Sequence, residues 1–181
     1  MVLRVYKYGE KVLREKALPV AAVTGALRKL ADDMVETMHD AGGVGLAAEQ
    51  VGHRESLCVI DIPEDCESQE DAMFNAPIQM PLKLFNPEII MSEGTQCDKE
   101  GCLSLPNIGG RIVRAAQVTC RYTDENNLPQ IITARGFLAR AIQHELDHLN
   151  GILYIDHMSA VERLEYMGKL KKLAKANGGI R

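Results

Sequence analysis

His144 and His148, four residues apart with Glu145 between them in HELDH, constrain this chain more than any other feature. At about 3.6 residues per turn, positions 144 and 148 stack on one helix face, where both imidazoles can reach a single metal ion. Glu145 stands beside them outside the ligand pair, so its carboxylate is free to handle protons on water at the ion, as in helix-borne hydrolytic metal sites. Chance can also put two histidines at this spacing on a charged helix, but the flanking residues argue against it. Phe137, Ala141 and His144 form a stripe at spacings of four and three, as a core-facing helix requires, and Asn150-Gly151 supplies the stop. An unpaired imidazole on an inward stripe is costly, and coordination removes that cost.

Two histidines are too few for a stable catalytic ion, so a third protein ligand must come from elsewhere. Cys102 is the best placed: it lies in EGCLSLP, between the turn-forming Gly101 and the polar Ser104, where a thiolate can be held out toward an ion. Cys58 and Cys120 fall in strand-like runs and read as small buried hydrophobes. Cys66 and Cys97 sit in polar stretches with nothing adjacent to give them a role. Five cysteines at irregular spacing suit a reducing compartment better than a disulfide framework. No apolar run approaches the roughly eighteen residues that cross a bilayer, and MVLRVYKYGEKVLREK lacks a signal peptide's apolar stretch. The expectation is a cytoplasmic protein with no membrane span. A net charge of -4 argues against generic nucleic-acid affinity and against specific DNA binding.

With 181 residues and 46% hydrophobic composition, the chain can bury one substantial core, which favours a single domain over residues 1–181. Leu27, Leu30, Ala31, Met34, Val35 and Met38 follow helical spacing from Thr24 to about Ala41, and Gly42-Gly43 stops that helix. Residues 55–62, 83–92, 111–123 and 128–134 are rich in Val, Ile and Thr and read as strands. Residues 64–79, acidic and without apolar period, read as a solvated loop rather than a lid. Ser159 and Glu162 form a capping box at the start of a final helix that should stop at Asn177-Gly178-Gly179. Its lysines, Lys169, Lys171, Lys172 and Lys175, fit a solvated face near the negative helix end, or a docking patch. The expected fold is α+β: mostly antiparallel sheets wrapped around a central metal-binding helix, with an N-terminal and a C-terminal helix.

The stretch GGVGLAAEQVG, residues 42–52, has no bulky side chain before Leu46. Its small residues allow close backbone approach to a ligand, and Gln50 brings an amide donor, but no Gly-Lys-Ser/Thr follows to make it a phosphate loop. GVGLAAEQ, EGCLS and QHELDH occur in the same order and with similar separations in peptide deformylases, and the sequence resembles that family along its whole length. The resemblance implies removal of the N-formyl group from the N-terminal methionine of nascent polypeptides, with release of formate. It implies that Cys102, His144 and His148 bind the metal and that Glu145 is general base, then general acid. It also implies that the Gln50 amide and the Leu103 backbone N–H stabilise the oxyanion, with Gly45 lining the site. One ferrous ion per chain is implied in the cell, with zinc, nickel or cobalt as alternatives in a purified sample. Glu49 stands where that family usually has proline, and it is expected to point outward.

The expected substrate-contacting residues are Val44, Gly45, Gly101, Phe137 and Ala141. Phe137 and Ala141 precede His144 by seven and three and share its helix face, where with Val44 they could contact a methionine side chain. Glu100 and Arg114 could pair and brace the Cys102 segment. Asp147 could orient a ligand histidine or face solvent, while His39, His53 and His157 read as surface residues. A rival reading is a zinc metalloprotease whose third ligand is Glu162 or Glu165, although Glu162 already has a capping task. Another is a metal-stapled module that docks on the ribosome through the lysine-bearing final helix, which would leave Glu145 without a purpose. N-formylmethionyl peptides are the expected partners.

Overall fold

A computed structural model describes residues 1–178. Thr24 opens the first helix, α1 (Gly25–Asp40), by accepting a hydrogen bond from the Leu27 N–H, and Gly42, at φ +67°, follows its end as expected. Seven strands follow: β1 (Gly45–Ala47), β2 (Leu57–Ile60), β3 (Leu82–Glu93), β4 (Gln96–Glu100), β5 (Gly110–Arg114), β6 (Gln117–Thr123) and β7 (Pro129–Arg135). Five of them form an antiparallel sheet in the order β1-β2-β3-β6-β7, while β4 and β5 pair as a separate two-stranded ribbon. Three further helices are α2 (Gln69–Asn75), α3 (Gly136–Leu149) and α4 (Ala160–Ala176).

Strand alternation decides where the helices pack. Leu57 and Val59 of β2 face one side of the sheet and bury with Ala31, Met34 and Met38 of α1. Cys58 and Ile60 face the other side, against Leu138, Ile142, Leu146 and Leu149 of α3. All four β2 residues are therefore buried, and α3 lies against the sheet as the central helix that the sequence pattern requires. Each fully buried Leu, Met or Ile contributes roughly 1.5–3 kcal/mol, which holds both helices on the sheet. A third cluster, including Leu13, Ile112, Tyr154, Ile155 and Leu170, joins the N-terminal segment, the ribbon and α4.

Several expectations need correction. The stretch read as one strand over 111–123 is two, because the chain leaves the ribbon and joins the sheet at Ala115-Ala116. There the Ala115 N–H donates to Gln143 Oε1 at 2.9 Å, and the Ala115 carbonyl accepts from Gln143 and Gln96 side-chain amides. Tertiary partners thus replace the ladder bonds that a continuous strand would keep. The acidic segment is not a featureless loop. Ser68 accepts from the Asp71 N–H to start α2, and Asn75 at its end exchanges hydrogen bonds with the backbone of Arg135. Seven residues are too few to show an apolar period, so only docking reveals this helix. Glu49, expected to point outward, is fully buried. The Ser159–Glu162 capping box and the Asn177 cap bracket α4 as expected, while Gly179 lies outside the described residues.

Candidate metal centre and cavity

α3 presents Phe137, Arg140, Ala141, His144 and Glu145 at helical spacings toward a cavity of about 400 Å³. Gly42 to Gly45 form the opposite wall, and the turn after β4 supplies Gly101, Cys102 and Leu103. Every residue expected at the site, His148 excepted, lines this cavity. His148 lies just behind it, 1% exposed, with its Nε2 3.3 Å from Cys102 Sγ. A larger cavity of about 900 Å³ between residues 8–15 and α4 contains none of these side chains, so size alone does not locate the chemistry.

The metal-ligating atoms of Cys102, His144 and His148 all lie within 4.8 Å of one another, from two segments of chain far apart in sequence. For bond lengths near 2.3 Å to sulfur and 2.1 Å to nitrogen, a tetrahedral site separates S from N by about 3.6 Å, close to what Cys102 and His148 show. A thiolate with two imidazoles also matches the donor chemistry of a catalytic divalent site with one position left over. These residues fit such an ion. The protease alternative does not hold together: Glu162 bonds Ser159 and the Arg111 N–H, Glu165 is exposed, and neither belongs to the cluster.

Behind the ligands lies a buried ionic brace. Glu100 accepts from Arg114 Nε and Nη2 at 2.9 and 3.0 Å, from Arg140 Nη1 at 2.7 Å, and pairs with His144 Nδ1 at 3.0 Å. Burial would raise the Glu100 carboxyl, yet the hydrogen bonds from His144 and Arg114 hold it well below the usual carboxylate range. The expected Glu100–Arg114 pair is thus real, and it turns His144 so that Nε2 is the free ring nitrogen. Among the described residues Asp147 pairs with no ligand histidine; it accepts from Arg114 Nη1 and pairs with His157, which is exposed as expected. Burial also drives the His148 pKa well below its ordinary value, leaving a neutral imidazole suited to coordination. His144 stacks on Tyr154, whose hydroxyl donates to the Ile108 carbonyl at 2.9 Å.

Glu145 is 3% exposed, and its Oε2 has no hydrogen-bond partner among the described residues. Burial pushes its carboxyl up to about 7, where it can hold or release a proton near neutrality. Gly45 is required beside it, since a Cβ there would collide with Glu145 Oε1. The Gln50 amide is anchored by the Ala47 N–H to its Oε1 at 2.9 Å, and its Nε2 reaches Cys102 Sγ at 3.3 Å and Ser104 Oγ at 3.1 Å. The Leu103 N–H makes no hydrogen bond among the described residues, while its carbonyl accepts from Lys7. Sequence reasoning missed Arg140 and Lys99 in the cavity wall. Arg140 was legible, three residues after Phe137 and four before His144.

The sequence model of the polypeptide deformylase family matches residues 2–164. A peptide deformylase of Nitrosococcus oceani is 44% identical over 171 residues, covering 94% of this chain and 95% of that one. Among solved structures, a peptide deformylase from Legionella pneumophila superposes with a TM-score of 0.83 at 35% identity, covering 100% of both chains. One from Ehrlichia chaffeensis in complex with actinonin gives 0.84 at 38%, covering 94% of this chain and 96% of that one.

Proposed function

The chain belongs to the polypeptide deformylase family and removes the N-formyl group from nascent peptides in a metal-dependent hydrolysis; on that premise we propose which residues carry each step. Cys102, His144 and His148 hold the ion. Bound there, a divalent ion supplies Lewis acidity, polarising the formyl oxygen and making water acidic enough to ionise near neutral pH. Glu145 takes one proton from the attacking water on its carboxylate as the water oxygen bonds to the formyl carbon. The Gln50 Nε2–H and the Leu103 N–H donate to the oxygen on which charge builds; one such donor is typically worth about 3 kcal/mol in the transition state. For this, Gln50 must trade its Ser104 or Cys102 contact for the oxyanion. As the C–N bond breaks, Glu145 passes its proton to the departing amine, leaving formate and a free N-terminus.

Val44, Gly45, Gly101, Phe137 and Ala141 enclose the substrate in this reading. Formyl carries no side chain, and the crowding of Gly43 by Leu103, where a Cβ would come within 2.7 Å, supports selection against a larger acyl group. We assign iron(II) as the ion in the cell, with zinc, nickel or cobalt able to replace it in a purified sample. Five free cysteines support a cytoplasmic location. The exposed lysines of α4 support docking on the ribosome, and the whole of 1–181 acts as one catalytic domain.

The observation that carries the assignment is the meeting of Cys102, His144 and His148 beside the unpartnered Glu145 carboxyl. Formate release from formyl-Met-Ala, measured on protein purified without oxygen and with or without added ferrous salt, is the test. Metal-stimulated release is expected; the absence of formate under both conditions would refute the assignment.

A further inference from the structure

The two groups assigned to the oxyanion come from segments far apart in sequence. Gln50 lies in the 3-10 turn Ala48–Val51 after β1, Leu103 in the turn after β4, and β1 and β4 belong to different sheets. The N-terminal segment bridges them with three consecutive residues. The Tyr6 N–H donates to the Gln50 carbonyl at 2.7 Å, Lys7 Nζ to the Leu103 carbonyl at 2.8 Å, and the Tyr8 N–H to the Ser104 carbonyl at 2.9 Å. Tyr6 also sits close on the end of the Gln50 turn, since a Cβ at Gly52 would come within 2.7 Å of its ring. The bridge is itself fixed: the Lys7 N–H donates to Glu10 Oε1 at 3.0 Å, and Glu10 pairs with Arg4 at 2.9 Å. The two turns also touch directly, through the Gln50 amide on Cys102 and Ser104, but part of that contact is given up when the amide turns to the oxyanion. The bridge through residues 6–8 uses the Gln50 main chain and survives the turn.

We infer that Lys7 is a positioning residue for deformylation: its ammonium holds the Leu103 carbonyl, and through it the Leu103 N–H, in the register with Gln50 that the oxyanion requires. This rests on the assignment of Gln50 and Leu103 as the oxyanion donors. The N–H and carbonyl of one residue are separated by only two rotatable bonds, so fixing the carbonyl narrows the directions open to the N–H. A hydrogen bond from a charged donor is roughly twice as strong as a neutral one, which makes Lys7 the strongest single tie of the three. Charge on the oxygen builds in the transition state and not in the bound substrate. Misaligned donors therefore lower kcat and leave KM near its native value.

The test is steady-state hydrolysis of formyl-Met-Ala by metal-loaded Lys7→Met, which keeps an unbranched side chain without the donor. Its kcat should fall about tenfold, with KM within about twofold of native and metal content per chain unchanged. Lys7→Arg keeps a charged donor and should recover most of the loss. A native kcat in Lys7→Met overturns the inference, as does a loss that appears in KM or metal content instead, or a Lys7→Arg no better than Lys7→Met. If Lys7→Met does not fold, Glu10→Ala decides: it releases the Lys7 N–H but leaves the ammonium in place, and kcat should fall about threefold. A native kcat there overturns the inference too. Gln50→Ala separates this from the donor assignment, since loss of one oxyanion donor should cost at least about a hundredfold in kcat. An unchanged kcat in Gln50→Ala refutes the donor assignment itself, whereas a large loss there beside a native kcat in Lys7→Met refutes only the role of Lys7.

Discussion

Glu145 and Gly45 test each other's placement. Replacing Glu145 by Gln keeps the size of the side chain and leaves all three ligands intact, so Glu145→Gln should keep its metal and lose at least about a hundredfold in kcat. Metal content per chain alongside formate release separates the two effects. Gly45→Ala puts a methyl group against Glu145 Oε1, and the carboxylate must move. A displacement of this kind should cost at least about tenfold in kcat, with the unfolding midpoint little changed, because the loss is one of alignment. Full activity in Gly45→Ala would show that the carboxylate position is unimportant. These two residues were readable from sequence for different reasons: the histidine spacing exposes Glu145, whereas the small size of Gly45 acquires meaning only beside it.

Among the elements, the 3-10 turn Ala48–Val51 carries an unusual burden, since Glu49 is fully enclosed with both carboxyl oxygens unpartnered among the described residues. Burial raises that carboxyl from 4.5 to about 8, with the nearby Glu145 adding to the shift. Below about pH 4.5 both folded and unfolded chains hold the proton. Between about 4.5 and 8 the unfolded chain releases it and the folded chain keeps it, so this group lowers stability as pH rises, and the loss levels off above about 8. Glu49→Gln should therefore be more stable near neutral pH, by on the order of 3 kcal/mol. Urea unfolding of both proteins at pH 5, 6.5 and 8 checks this: the gap between them should widen with pH, and a constant gap would rule out the buried acid as its cause. Periodicity exposed α1 and α3, the Ser159–Glu162 capping box exposed α4, and β-branched runs exposed β2, β3 and β7. Neither signal marks β1, three residues with a glycine, which is a strand because Gly45, Leu46 and Ala47 pair with Ile60, Val59 and Cys58. The burial of Glu49 was equally invisible, because composition places a glutamate in water and only the packing of this turn encloses it.

Over the whole molecule, the ion joins parts that the backbone does not. β4 and β5 form their own ribbon, and the turn after β4 brings Cys102 to histidines borne by α3. An ion that binds only the folded chain stabilises it by mass action, so at about a hundred times its dissociation constant it should raise the unfolding midpoint by at least about 5 °C. Chelation should remove that increment. Cys102→Ala should melt at the same temperature with or without metal, and a full metal-dependent rise in that variant would exclude the thiolate as a ligand. The order of the parts along the chain was legible because each motif is local; the ionic brace of Glu100, Arg114 and Arg140 was legible only in part, since its third member comes from a helix forty residues away in the sequence. The separateness of the ribbon has one more consequence. Because it shares no ladder with the larger sheet, side chains alone hold it against α3, Glu100 bonding Arg140 and His144, and a local opening that breaks those bonds would withdraw sulfur from the imidazoles. The tenure of the ion is thereby tied to the opening of a pair of five-residue strands, a local event that need not wait for the whole chain to unfold.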